Sequence, residues 1–149
     1  MRDIYQWNNE YGKYHKNKTN KLIHWFCVPI IMFTIFGLLS LTNFTYLNIF
    51  IVLSLLFYIR LSIRISIGML FISMIFYYAV IKIDESQLFT NSQLGIVYSS
   101  IFISAWIGQF IGHKIEGKKP AFFTDLQFLL IGPIWLLSFI YNKFNIKLK

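Results

Sequence analysis

At 149 residues the chain has the size of one domain, yet 56% of it is hydrophobic, 19% aromatic and only 13% charged, with a mean hydropathy of +0.58. A water-soluble domain this small lacks the interior to hide so much apolar surface, so a soluble fold is excluded and a membrane protein is indicated. The formal charge of +8 does not point to nucleic acid, because the bases flank apolar runs; membrane orientation and anionic headgroups account for it.

Residues 1–21 are polar and basic, and Tyr5, Trp7, Tyr11 and Tyr14 suit a segment lying at headgroup level. No cleavable signal is expected, since this polar stretch precedes an apolar run that is too long for a signal core and lacks a small-residue cleavage site. Asn17, Asn20 and His24 recur at i, i+3 and i+7 and predict one helix face, with His15 near its start. A first span is predicted over 22–41, close to the roughly 20 residues a hydrocarbon core requires, with a kink at Pro29. Cys27 lies in its first turns; as the lone cysteine it forms no internal disulfide and reads as a small packing residue.

After a turn at 42–45, apolar runs cover 46–59 and 65–81. Arg60 and Arg64 stand between them and mark a tight turn or snorkelling helix ends, because both would be costly at mid-bilayer. The second run is short for a span, and tilt, local thinning or continuation through the arginines makes up the deficit. A polar loop over 82–93 leads to a fourth span over 94–112. The last run, 126–141, is interrupted by Gly132-Pro133 and reads as a fifth span or as a re-entrant or interfacial helix; Pro120 and Pro133 read as stops or kinks. The fold class is therefore all-α: a polytopic membrane helix bundle of four to five apolar helices with an interfacial N-terminal segment, in a single integral membrane domain spanning 1–149 without internal repeats.

The bases set the orientation. Arg2, Lys13, Lys16, Lys18 and Lys21 crowd the N-terminal segment, the 42–45 turn has none, and Arg60 and Arg64 mark the next turn. The 82–93 loop has only Lys82, and Lys114, Lys118 and Lys119 follow the fourth span. This alternation places 1–21, the arginine turn and 113–125 on the cytoplasmic side of what reads as a bacterial inner membrane. The last run is then expected not to cross, since Lys143, Lys147 and Lys149 would otherwise lie outside.

All three histidines and Glu116 thus gather at one face, and the stretch from Trp106 to Ala121 is where an apolar helix runs into a basic turn. His113 and Glu116 share a helix face at i and i+3, Gln109 lies one turn earlier, and Gly108 and Gly112 form a G-x-x-x-G step that admits a close neighbour. His15, His24, His113 and Glu116 together suit a divalent first-row metal such as Fe(II), with positions open for substrate and oxygen. The alternative is that interfacial histidines merely hydrogen-bond backbone and headgroups. Asn17, Asn20 and Gln109 either hold imidazoles in orientation or cap and cross-link helices. Arg60 and Arg64 either hold an anionic head group bidentately or serve only orientation. The tryptophans and tyrosines near span ends read as an interface belt, without a chemical role.

The pattern Tyr14-His15-x-Asn17-x-x-Asn20-x-x-x-His24-x-x-x-x-Pro29, then Gln109-x-x-Gly112-His113-x-x-Glu116-x-x-x-Pro120-Ala121 and a Gly132-Pro133 helix, resembles the 2-hydroxy-palmitic acid dioxygenase-like membrane family. The resemblance runs from Trp7 to about Tyr141. It implies an Fe(II)-dependent enzyme of fatty acid α-oxidation that takes a 2-hydroxy fatty acid and O2 to the acid one carbon shorter, within membrane lipids. The family's histidines map onto His15, His24 and His113. A 2-hydroxy acid is able to chelate iron through carboxylate and hydroxyl while its tail stays among the helices. The competing class is a non-enzymatic membrane protein that binds lipid or scaffolds partners.

Overall fold

The computed structural model describes residues 2–123 and 127–149, and among these the chain is helical without a strand. A short helix α1 (Ile4–Gly12) precedes four long ones, α2 (Lys18–Thr42), α3 (Phe44–Leu61), α4 (Ile63–Glu85) and α5 (Asn91–Glu116); a 3-10 turn at Ala121–Phe123 then leads to α6 (Phe128–Lys143). Helices α2 to α5 are each long and apolar enough to cross a membrane. Side chains such as Leu53, Phe71, Ile96 and Ile103 point outward from them, as a lipid solvent allows.

Polar caps cut the apolar runs into helices. Asn17 opens α2 by accepting from the Thr19 amide at 2.8 Å, and Thr90 opens α5 in a capping box with Gln93. Asn43 both ends α2 and caps α3, and Ser62 does the same between α3 and α4, so successive helices must turn back on one another. The second run, short in the sequence, reaches 18 residues by continuing through Arg60 to Leu61. Helix α5 stops at Gly117, whose φ of 72° is the left-handed conformation glycine tolerates. Pro29 and Pro133 lie inside α2 and α6, so Pro133 is not a stop.

The four-fold alternation puts the start of α2, the α3–α4 turn and the end of α5 at one end of the bundle, here the histidine end. Helix α6 both begins and finishes there. Its start follows α5; in its last turn the Tyr141 hydroxyl donates to the Arg64 carbonyl at 2.7 Å, and beyond its close the Leu148 carbonyl accepts from Ser62 Oγ. At 16 residues α6 spans about 24 Å, and it is buried on nearly every face against α1, α2 and α4. With both ends there, this one continuous helix lies across the histidine end of the bundle. Leu126, the expected first residue of this run, and residues 124–125 of the preceding loop lie outside the described residues.

Two expectations for the N-terminal segment are corrected. Trp7 and Tyr11 do not sit in a headgroup belt: both are buried beneath α6, with Trp7 edge-on to Phe128 at 5.0 Å and Tyr11 against Trp135 at 5.3 Å. Of the aromatic residues in this helix only Tyr5 remains outward. Asn17 is not on a helix face with Asn20 and His24: it takes the capping position before α2, and His15 lies in the turn just ahead of it, near the helix start as expected.

The α2–α5 contact is the most extensive in the bundle. A Cβ on Gly112 would come within 2.5 Å of Asn20 Oδ1, and one on Gly108 within 2.8 Å of Cys27 Sγ, so the glycine step lets the two helices pack closely there. Buried apolar residues form two separate clusters, one around α1 and α6 at the histidine end and one around Phe36, Leu47 and Val80 at the far end.

Candidate metal centre

Three imidazoles arrive at one point from the turn before α2, from α2 and from α5. His15, His24 and His113 are all buried, and each offers a ligand atom within 4.8 Å of the other two; this is the one such group among the described residues. The His15 Nδ1 bonds the Tyr11 carbonyl at 2.7 Å, and its ring stacks on that of Tyr11 at 4.1 Å, with Trp135 on another side at 5.0 Å. His24 Nδ1 bonds the Asn20 carbonyl at 2.9 Å. A carbonyl only accepts, so both Nδ1 atoms carry the proton and both Nε2 atoms are left with lone pairs.

Those two Nε2 atoms face each other at 2.9 Å. Two lone pairs at that distance repel unless a cation lies between or beside them. A proton is a poor candidate: burial first, then the neighbouring His24, push the His15 pKa down to about 3. The His113 ring lies 5.0 and 4.9 Å from the other two, and its Nδ1 is buried without a partner. Three neutral imidazoles with unspent lone pairs fit a borderline divalent ion and leave coordination positions for other donors.

Glu116, expected beside them as a fourth donor, is engaged elsewhere. Its Oε1 accepts from the Lys16 amide and its Oε2 from the Asn17 amide, each at 2.8 Å, and Asn20 Nδ2 donates to Oε2 at 3.1 Å. The carboxylate thus fastens the turn that carries His15 onto the end of α5. Asn20 Nδ2 also reaches the Tyr14 carbonyl at 3.1 Å, closing the same turn from inside, while Asn17 caps α2. Lys118 adds a further tie by donating to the Lys13 carbonyl at 2.8 Å.

The arginines are not brought to the imidazoles. Arg60 is exposed in the last turn of α3, and the Arg64 guanidinium donates to the Lys147 and Lys149 backbone oxygens at 3.3 and 2.7 Å. A cavity of about 370 Å³ instead extends from His113 and Tyr11 into the bundle between the two apolar clusters. This is within the size range of small-molecule sites. Trp106 and Gln109 line it, and the Trp106 Nε1 and Gln109 Nε2 donors are buried without a partner. With His113 Nδ1 they make three unspent polar atoms at i, i+3 and i+7 of α5.

Sequence reasoning missed Tyr11, Trp106 and Trp135, all set down as belt aromatics or left without a role. For Tyr11 a signal existed, since it stands four residues before His15, within reach of a backbone carbonyl; for Trp135 there was none before α6 was known to fold back.

Fold and centre together define a helical membrane protein with a buried tri-histidine site at one end of an apolar cavity. The chain belongs to the 2-hydroxy-palmitic acid dioxygenase Mpo1-like family, which it matches over residues 1–144. No curated protein matches it, and no solved structure does.

Proposed function

We propose that this protein is an Fe(II)-dependent dioxygenase of fatty acid α-oxidation, which takes a 2-hydroxy fatty acid and O2 to the acid one carbon shorter. Atom balance then sends the lost carbon out as carbon dioxide and one oxygen atom as water. The observation that carries the reading is the pair of Nε2 lone pairs 2.9 Å apart, with a third imidazole beside them and an apolar cavity adjoining. The family's name supplies the substrate class. When bound there, iron provides the redox and O2 chemistry for which no side chain has an equivalent.

The residues of the chain do the rest. The Tyr11 and Asn20 carbonyls fix both the tautomer and the direction of the rings they hold. Glu116 keeps His15 in place through the backbone on its C-terminal side. Gln109 and Trp106 offer N–H donors to the substrate's carboxylate, the role first considered for Arg60 and Arg64, and the cavity takes the tail out of water. Uncharged donors suit this depth, where an arginine would bring its own desolvation cost.

Anaerobically purified protein loaded with Fe(II) should retain stoichiometric metal, and should convert a 2-hydroxy fatty acid under labelled O2 to the shortened acid while leaving the unhydroxylated parent untouched. Folded, metal-loaded protein that consumes neither acid, or both equally, overturns the reading. A lipid-binding protein without catalysis would bind the acid and consume no O2.

A further inference from the structure

We infer that Phe36 and Phe50 form the floor of the acyl cavity and set the length of tail the protein accepts; this rests on the fatty acid reading above. The cavity is lined along α2 from Val28 to Phe36, moving away from the histidine end, and along α3 from Tyr58 back to Phe50. The two helices run in opposite directions, so Phe36 and Phe50 meet at the same depth. Their rings pack edge to face with centroids 6.2 Å apart, and Phe36 packs likewise on Phe76 at 6.0 Å. Phe36 is 1% exposed and belongs to the far-end cluster with Leu47 and Val80, so the wall behind the rings is solid.

Eight residues of helix separate Val28 from Phe36, a depth of about 12 Å. An extended chain advances about 3.6 Å for every three bonds, so this depth holds a straight tail of about ten carbon–carbon bonds. Longer tails must bend, leave sideways or displace the rings. Ser54 lines the cavity one turn of α3 nearer the histidines than Phe50, where a larger side chain would raise the floor. One helical turn is about 5.4 Å, equivalent to about four carbon–carbon bonds.

The test uses the full-length, iron-loaded protein in nanodiscs with a homologous series of straight-chain 2-hydroxy acids. Each is measured by displacement of a fluorescent fatty acid and, separately, by turnover. Affinity should rise with each added carbon and level off at a tail of about ten bonds. In Phe50→Ala the break should move to longer acids by about four carbons, and in Ser54→Phe to shorter ones by a similar step. Because Phe36 is wholly buried, Phe50→Ala and the cavity-filling Ser54→Phe carry the test, with Phe36→Leu as a milder third variant. A break that stays put in folded variants that still bind the acids overturns the ruler and leaves the dioxygenase reading intact. If acids of every length fail to bind the wild-type protein, the substrate reading falls, and the ruler with it.

Discussion

The Oε1 atom of Glu116 accepts the backbone N–H of Lys16 at 2.8 Å, tying the end of α5 to the residue that follows His15, a hundred positions upstream. With Oε2 taking the Asn17 amide, the carboxylate satisfies two successive donors at once. The position of His15 therefore depends on a charge that is not among the three imidazoles themselves.

Glu116→Gln should separate this clamp from a direct role at the metal. A carboxamide has one acceptor oxygen and sets an N–H₂ against the second amide, which costs about 1–3 kcal/mol. Iron affinity should fall about 10 to 100-fold, as it does when groups that orient ligands are lost, while stoichiometry at saturating metal stays that of the wild type. Titration of the purified variant with Fe(II) checks both. An affinity equal to wild type would show that the clamp does not position His15.

His24→Ala and His113→Ala should each abolish stoichiometric iron retention and keep the helical circular dichroism of the parent, because each removes one of three converging donors without touching the interhelical packing glycines. Cys27→Ser should keep the metal, since its sulfur packs against Gly108. Full iron occupancy in both histidine variants would exclude the tri-imidazole centre.

Gly108→Ala should destabilise the α2–α5 pairing by about 1–3 kcal/mol, the usual range for overpacking, because its Cβ meets Cys27 Sγ at 2.8 Å. Adding Cys27→Ala removes that sulfur and should restore most of the loss. Gly112→Ala has no such remedy: it meets Asn20 Oδ1 at 2.5 Å, and the Asn20 amide is committed to Tyr14 and Glu116. Thermal unfolding in detergent of the single and double variants measures the coupling, and additive losses at 108 and 27 would contradict it.

Single cysteines at positions 18, 118 and 147, on a Cys27→Ser background, should be labelled from one side of the membrane and a cysteine at 86 from the other. The basis is that α6 starts and finishes at the histidine end, the side that the positive-inside bias leads one to expect in the cytoplasm. Labelling of 147 together with 86 would mean that α6 crosses after all.

The bundle was readable because lipid demands long apolar helices, and the first four predicted runs each lie within a helix extended by its caps, as 46–59 lies within Phe44–Leu61. Runs of hydropathy say nothing of which face a helix buries, and so α1 was read as a surface belt: Trp7 and Tyr11 look the same in a sequence whether a headgroup or α6 covers them. The imidazoles could be picked out because only three exist and the base pattern put them on one side. The separate task of Glu116 could not, since its partners are backbone amides, which every residue carries. Arg64 shows the same limit, because the backbone oxygens it meets lie more than eighty residues away.

The three imidazoles also enter the growing chain at very different times. His15 and His24 are made together, whereas His113 follows His24 only after 113 − 24 = 89 further residues, three more membrane helices among them. Until α5 is inserted, the nascent protein holds two of the three donors and one open wall where the cavity will be. Tight metal binding would therefore report completed insertion, and a bound ion, by favouring only the assembled bundle, would join its first long helix to its last.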